Sequence, residues 1–265
     1  MRRWWQLWRK RRERAALQRR AIPDDLWKRT LIRYPFLQRR DAAQAAELRR
    51  LTSLFLDRKE FSAGAGLRLT DAMVVAIAAQ ACLPVLHLGL ARYDDFVGIV
   101  VHADQVVAQR ETADADGVVH AWTEVLAGEA MQGGPVMLSW PDVRAAGRTA
   151  GQAYNVVIHE FAHVLDLANG ASDGVPLLPP ELPLKQWRST LTEAFGLFVG
   201  RVQAQQTTTL DPYGAEGEDE FFAVASEAFF VNPEGLQAEH PALYAMLVRF
   251  YRQDPGAERP EPRNP

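Results

Sequence analysis

The stretch Val156–Asp166, VVIHEFAHVLD, decides the fold. It lies within a helix expected from Gln152 to Ala168 and closed by Asn169-Gly170, a pair suited to the left-handed position after a helix. His159 and His163 are four residues apart, so both imidazoles leave one helix face a single turn apart. That spacing lets two ring nitrogens reach one metal ion at about 2.0–2.1 Å. Glu160 is too short and wrongly angled to serve as a third ligand, and it can instead take a proton from water at the metal. This is the H-E-x-x-H pattern of zinc hydrolases, with one zinc ion expected per chain.

The residues around the pattern matter as much as the pattern itself. Val156, Val157 and Ile158 before it, and Val164, Leu165 and Leu167 around its end, make a mostly buried helix. Polar side chains in such a helix carry a desolvation cost unless something pairs with them. The plainer reading, two satisfied core histidines beside a surface glutamate, is disfavoured on that ground.

Catalytic zinc usually has three protein ligands and an open position. The metzincin extension requires a glycine and a histidine where Asp166 and Asn169 stand, which excludes that subclass. His87, His102, His120 and His240 lie outside any ligand motif, so a downstream carboxylate is the better supplier. Of Glu181, Glu193, Glu220 and Glu227, Glu181 sits between Pro180 and Pro183 in a loop. The segment DEFFAVASEAFF (219–230) places Glu220 and Glu227 seven apart on one helix face. A first-turn carboxylate at Glu220 is favoured by the helix dipole. Glu227, deeper in the helix, needs a partner such as a ligand imidazole to stay charged. Spacing alone leaves both open. Asp166, three residues after His163, suits either a hydrogen bond to a ligand imidazole or the closing of the helix end.

The rest of the chain sets the frame. With 265 residues, 48% apolar and 24% charged, it is long enough for one large domain or two small ones. A single cysteine, Cys82, excludes an internal disulfide and Cys-rich zinc modules. The apolar stretch Ala72–Leu90 is interrupted by Gln80, Pro84 and His87, and reads as buried core rather than a membrane span. A soluble, cytoplasmic protein is expected. The formal net charge of −3 hides an asymmetry: residues 1–40 hold 14 Lys/Arg against three acids, leaving residues 41–265 at −14. No direct nucleic acid contact is expected.

Three regions follow: a basic Trp/Arg-rich arm (1–20), one main domain (21–255), and a tail (256–265) too rich in proline and charge to pack. The arm's apolar run is too short for a secretory signal. As a helix it would gather Trp4, Leu7 and Trp8 among arginines, suiting a membrane surface or acidic partner; otherwise it is a solvated terminus. Helical periodicity runs from Ile22 to Phe55. Thr70 caps a helix over Ala72–Ala81, and strands are expected at Val97–Val101 and Val136–Trp140. Thr112–Gly128 lacks a clear period and reads as loop with a hairpin, and Gly174–Pro183 as loop. Helices resume over Leu184–Ala204, Asp219–Val231 and His240–Gln253. The fold class is α+β.

Five segments together resemble the bacterial Mlc titration factor A family, in family order. They are LPVLHLGLARYDDFVGIVVHADQVV (83–107), GGPVMLSW (133–140), YNVVIHEFAHVLDLANGASDGVPLLP (154–179), DPYGAEGEDEFFAVASEAFF (211–230) and LVRFYRQDP (247–255). The similarity spans about Leu51 to Pro255, and the basic start is least similar. The resemblance implies an α+β zincin fold, with the GGPVMLSW strand running beside the metal helix. It implies zinc held by His159, His163 and Glu220, Glu160 as general base, and a role for Tyr213, seven residues before the third ligand. Asp166 and Glu227 are the expected supports behind the ligands. The implied activity is aminopeptidase-like hydrolysis of short peptide substrates. The implied partner is a transcriptional repressor of sugar-uptake genes. The competing reading is a regulatory protein that sequesters a transcription factor, with incidental peptidase activity.

Overall fold

A computed structural model describes residues 2–113, 119–126, 128–130, 133–146 and 153–257. The chain opens with three helices, α1 (Arg2–Arg19), α2 (Asp24–Arg33) and α3 (Ala42–Arg58). A reciprocal capping box starts α3: the Asp41 side chain accepts from the Gln44 backbone, and the Gln44 side chain accepts from the Asp41 N–H. Strand β1 (Glu60–Ala63) leads to α4 (Asp71–Cys82), capped by Thr70 as expected and buried along most of its length. The apolar run from Ala72 is therefore core.

Strands β2 (Gly98–His102), β5 (Gly128–Ala130) and β6 (Val136–Ser139) join β1 in one sheet, ordered β1-β2-β6-β5. The first three run parallel, and β5 lies antiparallel at the edge. Ile99 pairs in register with Val136 and Val101 with Leu138, and all four are buried, which turns this face of the sheet toward the helices. The two expected strands are both present. The second stops at Ser139, because Trp140 and Pro141 open α5 (Trp140–Ala146) instead. Strands β3 (Val106–Ala113) and β4 (Val119–Leu126) form a separate antiparallel hairpin, longer than the one expected.

The remaining elements are α6 (Val156–Leu167), α7 (Leu184–Gln203), α8 (Glu218–Val231), α9 (Pro233–Glu239) and α10 (Pro241–Tyr251). The metal-motif helix α6 starts four residues later than expected, at Val156 rather than Gln152. Asn155, in extended backbone, caps it by accepting from the Ile158 N–H at 3.0 Å. On the face opposite the histidines, Phe161 is fully buried against Tyr93, Phe55 and Phe96, with ring centroids 5.0, 5.7 and 5.8 Å away. Truncating so buried a ring typically costs about 3–5 kcal/mol. Helix α8 is buried from Phe221 to Val231, with Phe222 against Trp187 and Ser226 sharing a 2.7 Å hydrogen bond with Tyr251. Two rigid helices thus meet across the site.

The basic start is not simply a solvated arm. Ala16 is buried in the core and Leu17 packs on it, while Glu13 pairs with Arg50 and Arg19 with Asp57 at 3.0 Å. The second half of α1 is built into the helical layer against α3. Of the tail, residues 256 and 257 are described: Gly256 donates to the Tyr244 hydroxyl at 2.9 Å, and residues 258–265 lie outside the described residues.

Candidate metal centre

Three side chains converge between α6 and α8. His159 Nε2 lies 3.1 Å from Glu220 Oε2, His163 Nε2 lies 3.3 Å from the same oxygen, and the two nitrogens are 3.1 Å apart. Atoms ligating a tetrahedral ion through bonds of about 2.0–2.1 Å stand about 3.3 Å apart, so the spacing fits one metal ion. Among the described residues this is the one group of three or more His, Cys, Asp or Glu so arranged. The i, i+4 spacing supplies the two imidazoles, and the first turn of α8 delivers the carboxylate.

Glu227 sits behind the first histidine. Its Oε1 lies 2.8 Å from His159 Nδ1, and its Oε2 accepts from the backbone N–H of Asn155. One carboxylate therefore ties the start of α6 to the ring that α6 presents. Asn155 in turn donates its side-chain amide to Gln80 Oε1 at 2.9 Å, linking the same turn to α4. Glu220 and Glu227, not distinguishable by spacing, divide cleanly: one faces both Nε2 atoms, the other the outer nitrogen of one ring.

Burial opposes ionisation of Glu220, but its hydrogen bonds with the two imidazoles outweigh this and hold the carboxyl well below its usual range. Burial likewise opposes a charged His159, and its contacts with Glu220 and Glu227 override it and raise that ring's pKa. Glu160 behaves differently. Burial pushes its pKa up to about 7, against the charges of both histidines.

The Glu160 carboxylate lies over β5. Gly128 makes room for it: a Cβ there would stand 2.5 Å from Glu160 Oε1. The strand closest to Glu160 is therefore the three-residue edge strand β5, with the GGPVMLSW strand one place further in. The sequence reading missed Gly128 and Gln80; a lone glycine in GEA carries no signal until β5 is paired with β6.

Tyr213 belongs to a 3₁₀ turn over Pro212–Ala215, held by Asp211, whose side chain accepts from the Tyr213 N–H at 2.9 Å. Its ring is partly exposed, with its centroid 6.1 Å from that of His159. Asp166 is placed otherwise than as an imidazole partner. Its Oδ2 accepts from the Gly174 N–H at 2.9 Å, and its buried Oδ1 has no hydrogen-bond partner. It closes the loop after α6, because that loop's backbone turns back over the helix end. The other candidates lie elsewhere: Glu181 pairs with Arg252 at 2.6 Å, and Glu193 is exposed on α7.

Residues 5–252 match the family model described as glucose-regulated metallo-peptidase M90. The chain belongs to the M90 family. This M90 chain is 34% identical over 238 residues to Mlc titration factor A of Klebsiella pneumoniae, covering 89% of this chain and 88% of that protein. It is 39% identical over 192 residues to Mlc titration factor A of Edwardsiella ictaluri, with 71% and 72% coverage. An uncharacterized Synechocystis protein is 33% identical over 246 residues, with 92% and 89% coverage. The M90 match starts within α1, so the family's extent takes in most of the basic helix that the sequence set apart as an arm.

Proposed function

We propose that this chain is a zinc-dependent peptidase in which His159, His163 and Glu220 hold the metal and Glu160 is the general base. The observation that carries this reading is the approach of three donor atoms to within 3.1–3.3 Å of one another beside a buried carboxylate. Zinc, when bound, supplies a Lewis acid that acidifies water and polarises a carbonyl. Glu160 takes the proton of the attacking water and passes it to the leaving amine, and a pKa near neutrality suits a group that must do both. Glu227 accepts the Nδ1 proton of His159, which leaves the Nε2 lone pair for the metal. Tyr213, at the rim, donates a hydrogen bond to the developing oxyanion. The substrates are short peptides, cleaved in an aminopeptidase-like manner in the cytoplasm.

The test is hydrolysis of amino-acid anilides and short peptides by zinc-loaded protein, by chelated protein, and after zinc is restored. Activity that disappears with the metal and returns with it supports the reading. Activity indifferent to chelation, or none on any peptide library, overturns it.

The relatives' name supports a second role, binding of a transcriptional repressor of the Mlc type. A Glu160→Gln variant separates the two, since repressor binding survives the substitution and hydrolysis does not.

A further inference from the structure

Helix α1 has two unlike halves. Its second half is fixed by buried Ala16, by Leu17, and by the Glu13–Arg50 and Arg19–Asp57 pairs. In its first half Trp4 is 73% exposed and Trp8 45% exposed. At 100° per residue, Trp4, Trp8 and Arg11 fall within an arc of about 60° opposite the Glu13–Ala16–Leu17 seam, and Arg12 flanks that arc on the Ala16 side. All four are exposed, and the Arg12 guanidinium stands 4.6 Å over the Trp8 ring. Residues 1–20 hold nine Lys/Arg and one acid, a balance of +8; with −3 overall, residues 21–265 carry −11.

We propose that this face of α1 docks on an anionic membrane surface. Indole rings are favoured at the bilayer interface, where an apolar ring and a polar N–H are both satisfied. Each basic residue brought near an anionic leaflet strengthens binding by up to about fivefold. The acidic body is repelled by the same leaflet, so the charge asymmetry also orients the molecule with α1 toward the membrane. No described helix is long and apolar enough to cross a bilayer, so α1 lies along the surface. Duplex DNA would reward the arginines equally, but contacts to its phosphate backbone give no use to two tryptophans exposed on the same face. This inference stands apart from the metal site and needs no hydrolytic activity.

The experiment is co-sedimentation of the full chain with vesicles of equal parts phosphatidylglycerol and phosphatidylcholine, and with pure phosphatidylcholine vesicles. The full chain should bind the anionic vesicles with a blue shift of tryptophan emission, weaken as salt rises, and ignore pure phosphatidylcholine. The W4A/W8A double variant, whose charge is unchanged, should bind about tenfold more weakly or worse while keeping the parent's thermal midpoint. The proposal is overturned by no binding to anionic vesicles, by equal binding to both vesicle types, or by a double variant that binds like the parent. Duplex DNA bound more tightly than the vesicles, and equally by the double variant, would assign the face to nucleic acid instead.

Discussion

Glu227 Oε1 stands 2.8 Å from His159 Nδ1, on the far side of the ring from the Nε2 that meets Glu220 at 3.1 Å. The two glutamates thus address opposite edges of one imidazole. Removing them has different consequences. Glu220→Gln should lower metal affinity by orders of magnitude, because a neutral amide replaces a charged donor. Glu227→Gln should lower it by about 10- to 100-fold, the range typical for a group that orients a ligand. Titration of each variant against a chelator of known affinity gives the order, and the reverse order would make Glu227 the ligand.

Gly128 offers a second test, since a Cβ there would stand 2.5 Å from Glu160 Oε1. Gly128→Ala should displace the carboxylate and lower kcat by about tenfold or more while leaving bound metal near the parent's level. The Gly128→Ala, Glu160→Asp double variant should lose less than the product of the two single losses, because the shorter acid leaves room for the methyl. Strictly multiplicative losses would show that the two positions do not touch in solution.

Asp166 gives a pH signature in the metal-free protein. Burial raises its pKa from the ordinary aspartate value of 3.8 to about 6, so the folded chain favours the protonated acid. The group's stabilising contribution is full below about pH 4 and is lost as pH rises through about 6. Asp166→Asn keeps an acceptor oxygen for the Gly174 N–H and removes the titration. Urea unfolding between pH 4 and 7 should show a flatter stability profile for the variant, by about 2–3 kcal/mol across the window. Parallel profiles would contradict the buried-acid reading.

What could be read from the sequence follows from how locally each feature is encoded. Helix α6 announces itself through its apolar period and the i, i+4 histidines, and α4 through Thr70 and an unbroken apolar run. Strands β1 and β5, four and three residues long, have no alternation to detect and exist only by pairing with β2 and β6. Helix α9, seven residues long and opened by Pro233 after the cap Asn232, is too short for a period to show. In the site, spacing brought out the histidines and a pair of glutamates. It could not separate Glu220 from Glu227, because residues seven apart share a face, and only their contacts with opposite edges of the His159 ring tell them apart. The packing of Ala16 was hidden for a similar reason: a small residue among arginines gains its meaning from Leu17, Arg50 and Asp57, the last two on another helix.

The most direct measurement is bound zinc and hydrolysis rate together on purified Glu160→Gln protein. Glu160 touches Gly128 and lies beside, not among, the three converging donors, so the substitution removes a base and no ligand. The expected result is close to one zinc per chain with a rate reduced by at least about a hundredfold. A variant that keeps its zinc and hydrolyses peptides at the parent's rate would contradict the mechanism, and one that loses its zinc would contradict the assignment of Glu160.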